Sequence, residues 1–471
     1  MEFRVIAVLF IIGLLVRLYH LGGPSLCDDE LITNLRISHS FFDTIGLLRN
    51  SNFPPLYYAM LNLWVRAWGH GEWALRFPSA LFSGLTILVI YKLGVELFNK
   101  NVGLISAFLL AFSPFAVNYA QNAKMYALFW FLTAWSFLFF FRFLKGQKKI
   151  TYPFYIIISI LSCYTMYTGF LFLVTQSMIF LFLGEKIRRR QWFSGQLIIL
   201  SFCIPWLIYS LSSHHEELSL RSPDAAFSYL TYFLNAFLMI LGGWGPLRGG
   251  NCFLYVFLLL YLLADVFIIR YKIKKMEFSL LTNYYCLLIW LIIPVFLYFI
   301  FDRFFVRAQL FFRYMGFLQV PLILIVSSQI DQFHGLIKRM LILVMVVMAV
   351  NNTYLYFREH LRLPQEDWRR TAVELTHDLG KNDIVFSLVD LQQFKYYYNG
   401  DTRRFFPILE KDCSLEYLAK KGIATQDVHS IFILYKKNLD FQNKLYGFSL
   451  VDGVWNGGIG FLHYQRNQLK K

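Results

Sequence analysis

Residues 75–98 read LRFPSALFSGLTILVIYKLGVELF, and the interior of this stretch, 77–97, is an apolar run of the length, about 20 residues, that a helix needs to cross a bilayer. Comparable runs lie at 4–23, 102–119, 126–144, 151–167, 168–184, 193–211, 252–269, 283–301, 310–328 and 340–357. The composition agrees. Of 471 residues, 57% are hydrophobic and 19% aromatic, with 50 Phe and 29 Tyr, a load that no ordinary soluble domain carries. Lipid offers no partner to an unpaired backbone group, so the runs are expected as helices, and the chain reads as a polytopic α-helical membrane protein with about eleven transmembrane helices. No small-residue cleavage site follows the first run, which continues through RLYHLGG, so it is expected to be an uncleaved span.

The basic loops set the orientation. RFLKGQKK (142–149), EKIRRRQ (185–191), RYKIKKME (270–277) and HGLIKR (334–339) belong on the cytoplasmic side by the positive-inside rule. The net charge of +16 is then a topology signal, and its short, scattered clusters do not suit nucleic acid. For RYKIKKME to stay inside, the apolar stretch FSYLTYFLNAFLMIL (227–241) must be interfacial or re-entrant within an outer loop, 212–251. The amino terminus then lies inside and the carboxyl terminus outside, in a plasma (inner) membrane. Loops 24–76, 113–125, 212–251 and 302–309 share the outer face with the tail.

The tail, 358–471, is a different material: charge of both signs, and no run long enough to span. EDWRRTAVELTHDLG has helical spacing closed by Gly380, DIVFSLV and SIFILYK read as buried strands, and GFSLVDGVWNGGIGFLHYQR reads as a hairpin. Two domains are therefore expected. Residues 1–357 form the membrane domain, with a functional first outer loop at 24–76, and 358–471 form a small extracytoplasmic α/β domain.

Cysteine and metal motifs carry little. Cys163, Cys203, Cys252 and Cys286 lie in or beside spans as small apolar-like residues, while Cys27 and Cys413 are both on the outer side and could pair. There is no CxxC and no HExxH, and HHEE at 214–217 reads as a solvated loop. No cofactor is called for, although a divalent metal is compatible with the chain. GGWGPLRGG (242–250) lacks the GKS or GKT ending of a phosphate-binding loop, which disfavours a nucleotide-sugar substrate. Pro54-Pro55 followed by Tyr57 and Tyr58 reads as a shaped loop with its rings at the membrane interface.

Against this background, GGPSLCDDELITNLR (22–36) stands out, with Asp28, Asp29 and Glu30 consecutive just beyond the first span. Asp28 or Asp29 could cap a helix running through ELITNLR by accepting from its first amides. A cap needs one acid, and mutual repulsion opposes three, so a second role in proton acceptance, cation binding or substrate contact is expected.

Six stretches in order carry a resemblance: CDDELI, NSNFPPLYYAML (50–61), LRFPSALFSGLTILVIYKLGVELF, SPFAVNYAQNAKMYAL (113–128), RYMGFLQVPLIL (313–324) and PQEDWRRTAVEL (364–375). Together they resemble the prokaryotic form of glycosyltransferase family 39, the dolichyl-phosphate-mannose protein mannosyltransferase-like enzymes of the GT-C superfamily. The resemblance implies a GT-C-like membrane fold and a hexosyltransferase-type enzyme. Such an enzyme moves one sugar from a polyprenyl-phosphate donor to a protein, lipid or glycan acceptor hydroxyl at the outer face, among membrane lipids and without nucleic acid. It also implies that Asp29 and Glu30 are the catalytic acids and that Arg313-Tyr314 is the family's Arg-Tyr pair. The leaving phosphate needs fixed cations, for which the outer-side candidates are Arg76, Lys124, Arg303, Arg307 and Arg313, with Asp28 as a further substrate contact. Arg303 and Arg307, four apart, would share a helix face and are also placed to snorkel.

The sequence departs from the family in having Phe53 before the Pro pair, where His is common, and Asn122 and Lys124 where Glu and Arg are common. These departures leave the acceptor type open. The alternatives are a lipid-linked sugar transporter or flippase, disfavoured because no charge is read in mid-span and no inverted repeat of broken helices is found, and an inactive relative that only binds the carrier.

Overall fold

The computed structural model describes residues 2–49, 53–147, 150–212, 278–301, 312–362, 367–380, 383–387, 394–398, 400, 403, 405–407, 428–436, 448–456 and 459–466. The chain separates into two compact units, one of Met1–Leu21 and Arg36–Phe357, the other of Gly22–Leu35 and Arg358–Lys471. The front of the first expected loop thus groups with the tail rather than with the membrane domain.

The first unit is helical. In order it contains α1 (Glu2–Leu18), α3 (Phe41–Leu48), α4 (Leu56–Trp68), α5 (Glu72–Leu97), α6 (Lys100–Ala111), α7 (Pro114–Ala120), α8 (Tyr126–Leu144), α9 (Thr151–Cys163), α10 (Gly169–Leu183), α11 (Arg189–Leu211), α12 (Phe278–Phe301), α13 (Gln319–Gln332) and α14 (Gly335–Arg362) as far as Phe357, together with Arg36 and Ile37 of α2 (Asp28–Ile37). Among the described residues, five helices are long and apolar enough to cross a membrane, or six when α6 and α7 count as one bent span. The expected runs at 151–167 and 168–184 form the shorter α9 and α10. The expected span 252–269, the segment 227–241, the loop 302–309 and Cys252 and Cys413 lie outside the described residues.

The run 102–119 is not one helix. α6 and α7 meet at 57° because Pro114 opens α7 and has no N–H to continue α6, while Ser113 caps the new helix by accepting from the Ala116 amide at 3.3 Å. A second proline acts inside α5. Pro78 cannot donate to the Ala74 carbonyl one turn back, and the Trp64 indole donates to that carbonyl instead, at 2.9 Å. Where α5 crosses α6, Gly94 faces Gly103 so closely that a Cβ on Gly94 would come within 2.6 Å of the Gly103 Cα. Small residues of this kind let membrane helices approach backbone to backbone.

α8 is the hub of this unit, buried over most of its length against α5 and α9. Its Phe137 stacks on Trp290 of α12 at 3.5 Å, and the buried Trp192 of α11 stacks near Phe180 of α10 and Tyr155 of α9. A polar chain threads the same helices. Gln196 donates to the Tyr155 hydroxyl, Tyr155 to Gln176 and Gln176 to Ser136, each at 3.0 Å, and Ser136 meets Ser159 at 2.9 Å. Buried polar groups must be paired, so these bonds fix the register of four helices.

The second unit holds a mixed five-stranded sheet of order β2-β1-β3-β5-β4, made of β1 (Ile384–Ser387), β2 (Phe405–Pro407), β3 (Ser430–Lys436), β4 (Phe448–Asn456) and β5 (Ile459–Arg466). β1 runs parallel to β2 and β3, while β5 is antiparallel to β3 and β4. Helix α15 (Trp368–Asp378) starts at Asp367, whose side chain accepts from the Arg370 amide at 3.1 Å, and it packs on β4 and β5 with Trp368 buried.

Candidate active site

In the second unit, the three acids form the first turn of α2, where negative charge suits the helix dipole. Cys27 is the capping residue, and its carbonyl accepts from the Glu30 and Leu31 amides at 2.9 Å each. Glu30 is only 2% exposed, and its Oε2 accepts from the Cys27 N–H at 3.1 Å. This is the return arm of a capping box. Glu30 makes this return bond because a side chain at the third helical position is long enough to reach back over the turn. Asp28 and Asp29 are half-buried. The Asp29 carbonyl accepts from Thr33 Oγ1 at 2.9 Å, one turn further on.

The turn is pinned to its own unit by residues far along the chain. The Leu26 N–H donates to the Tyr397 hydroxyl at 2.7 Å, and Arg369 donates to the Gly23 carbonyl at 3.2 Å with its guanidinium 5.7 Å from the Tyr397 ring centroid.

In the first unit, Arg76 and Lys124 are buried, 4% and 3% exposed. Arg76 lies in the second turn of α5, and its Nη1 donates to the Leu21 carbonyl at 3.0 Å. Three residues on, and so on the same helix face, Ser79 donates to the Lys124 carbonyl at 3.2 Å and meets the Tyr57 hydroxyl at 3.2 Å. One face of α5 therefore holds Arg76 and the backbone of the turn that carries Lys124. Asn122 opens this turn, its carbonyl accepting from the Lys124 N–H at 2.8 Å. Tyr57 and Tyr58 are fully buried, contrary to their expected interfacial position. Pro55 starts α4, and the Leu56 N–H donates to Tyr164, so α4 runs inward and takes both rings into the core.

Arg313 and Tyr314 lie in a 3-10 segment, Phe312–Leu318, ahead of α13. Tyr314 sits edge-on to Tyr126, with centroids 6.1 Å apart. Gly316 lies so close to the Trp130 indole that a Cβ there would overlap it, and Gln319 donates to Ser113 at the α6–α7 break. Arg303, Arg307 and the HHEE stretch fall outside the described residues. Among the described residues, no group of three or more His, Cys, Asp or Glu side chains could hold a metal ion.

Sequence reasoning passed over Arg17. It lies inside the first apolar run and is fully buried, donating to Ser83 Oγ at 2.8 Å and to the carbonyls of Gly13, Ala111 and Leu110 at 2.8–2.9 Å. The signal was present, since an ionisable residue within an apolar run is a functional or structural marker by default.

Residues 52–209 match the family described as dolichyl-phosphate-mannose-protein mannosyltransferase. Among solved structures, ArnT from Cupriavidus metallidurans bound to undecaprenyl phosphate is 12% identical with a TM-score of 0.58, and the alignment covers 97% of each chain. The family match agrees with the resemblance carried by the six stretches, over the part of the chain that it covers. A second structure, the archaeal oligosaccharyltransferase AglB from Archaeoglobus fulgidus in complex with an inhibitory peptide and a dolichol-phosphate, is 11% identical with a TM-score of 0.53, covering 92% of this chain and 69% of that one. At such identities the likeness is one of fold. No curated protein matches the sequence at a significant level. The family match takes in Arg76 and Lys124 and begins after Asp29.

Proposed function

We propose that the protein is a membrane glycosyltransferase that moves a single sugar from a polyprenyl-phosphate donor to an acceptor hydroxyl at the outer membrane face. The observation that carries this reading is the pair of buried cations, Arg76 and Lys124, tied to one face of α5 within the family-matched segment. Fixed cations are what a departing phosphate needs, and Arg and Lys side chains hold phosphate through charge-assisted hydrogen bonds. The ArnT structure is bound to undecaprenyl phosphate and the AglB structure holds a dolichol-phosphate, which supports the same class of carrier here.

In this mechanism Asp29 takes the proton from the acceptor hydroxyl as its oxygen attacks the anomeric carbon. The bond from that carbon to the carrier phosphate breaks through an oxocarbenium-like state, and the configuration inverts. The phosphate leaves as an anion, so no carboxylic acid has to protonate it. Arg76 and Lys124 take up its charge, with Arg313 as a third donor. Lys124 acts as a point charge without the bidentate fork of an arginine. Glu30 holds the turn that presents Asp29. A divalent ion is compatible with this scheme.

Binding of undecaprenyl phosphate to the full-length protein in lipid tests the assignment. A charge-assisted hydrogen bond is worth about 1.5–3 kcal/mol, so Lys124→Met should weaken binding by roughly 10- to 100-fold. An unchanged affinity in both Lys124→Met and Arg76→Met would remove these cations from the donor site.

A further inference from the structure

Gln121 closes α7 immediately ahead of Asn122, Ala123 and Lys124, and the mechanism above does not use it. Its side chain is buried and engaged on both sides. Nε2 donates to the carbonyls of Arg17 at 3.1 Å and Tyr19 at 2.8 Å, and Oε1 accepts from the Tyr356 hydroxyl at 2.9 Å. One amide thus ties the end of α1 and the body of α14 to the exit of α7.

Both anchors are themselves fixed. The Arg17 guanidinium takes the carbonyl of Ala111 and shares that of Leu110 with the Ser113 N–H at the end of α6, and a cation suits that end of the helix dipole. From the other side, Thr353 of α14 donates to the Phe112 carbonyl at 2.9 Å. The α6–α7 break is therefore gripped from two helices, and Gln121 is the last grip before the Lys124 turn. Ser79 holds the far end of that turn through the Lys124 carbonyl. A segment of three residues, fastened at both ends, has little backbone freedom left to lose when a ligand binds.

We propose that Gln121 is a positioning residue for the donor phosphate, its clamped amide setting where the Lys124 turn stands. The inference rests on the reading of Lys124 as a phosphate-holding cation. The chemistry asks for an amide at this position. A carboxylate would set an acceptor against two carbonyls, and an apolar side chain would leave those carbonyls and the Tyr356 hydroxyl without their partner.

The test is a double-mutant cycle on the full-length protein in lipid nanodiscs, with undecaprenyl phosphate as the probe. Gln121→Met should weaken binding about tenfold, and Tyr356→Phe should act in the same direction by a smaller factor. In the Lys124→Met background, Gln121→Met should add nothing, because a residue that acts only through Lys124 has no effect once Lys124 is gone. Multiplying effects, or wild-type affinity in Gln121→Met, would overturn the inference. If Gln121→Met does not fold, a folded Tyr356→Phe with wild-type affinity has the same force. An unaffected Lys124→Met would instead bring down the reading of Lys124, and the inference with it.

Discussion

Glu30 and Asp29 are neighbours in sequence, but the first turn of α2 uses them differently. The Glu30 carboxylate is buried on the Cys27 N–H, while Asp29 is half-buried on the next position round the helix. Glutamine serves the same return bond in a capping box, so Glu30→Gln should keep the turn and retain measurable transfer. Glu30→Ala should lose roughly 0.5–2 kcal/mol, the scale of a lost helix cap. Transfer rates and melting temperatures of the two variants check this, and complete loss of transfer in a well-folded Glu30→Gln would assign Glu30 to the chemistry itself. That the acids would sit at a helix start was legible in CDDELI, since acid-rich first turns are a helix signature. Which acid caps was not, because the answer depends on the reach of each side chain around one turn.

At the scale of elements, the decisive feature is the break between α6 and α7. Apolarity alone reads 102–119 as one span, and the proline that splits it is diluted in any window wide enough to detect a membrane helix. Arg17 was visible as a charge in an apolar run, but its partners lie 93 and 94 residues away, at the carbonyls of Leu110 and Ala111, and no local pattern announces such a pairing. Removing the guanidinium leaves buried acceptors unsatisfied at about 1–3 kcal/mol each. Arg17→Met should therefore lower thermal stability in detergent sharply, with Arg17→Lys recovering part of the loss through its remaining charge. A melting temperature unchanged in Arg17→Met would show that the break holds without the guanidinium.

At the scale of the whole molecule, local patterning carried the reading some way. SIFILYK is β3 and DIVFSLV contains β1, because buried strands announce themselves as short apolar runs between turn residues. The strand order, with β1 between β2 and β3, was not readable, since crossover connections leave no local mark. Nor was the grouping of 22–35 with the tail, which rests on bonds such as that from Leu26 to Tyr397 across 371 positions. Orientation rests on the basic loops. Arg142, Lys145 and Gln147 of one such loop converge on Glu96 at the end of α5, and that loop is expected to face the cytoplasm. A reporter fused after residue 400 should read extracytoplasmic, and one inserted near Gly146 should read cytoplasmic. The opposite pair of results would put Asp29 on the wrong side for a donor presented at the outer face.

The proposed transfer reaction depends on one carboxylate. The measurement that tests it most directly supplies radiolabelled polyprenyl-phosphate sugars, one at a time, to the purified protein in lipid, beside Asp29→Asn. The wild-type protein should consume one donor, whereas Asp29→Asn should still bind the carrier and lose its turnover. Turnover in Asp29→Asn equal to that of the wild type would contradict it.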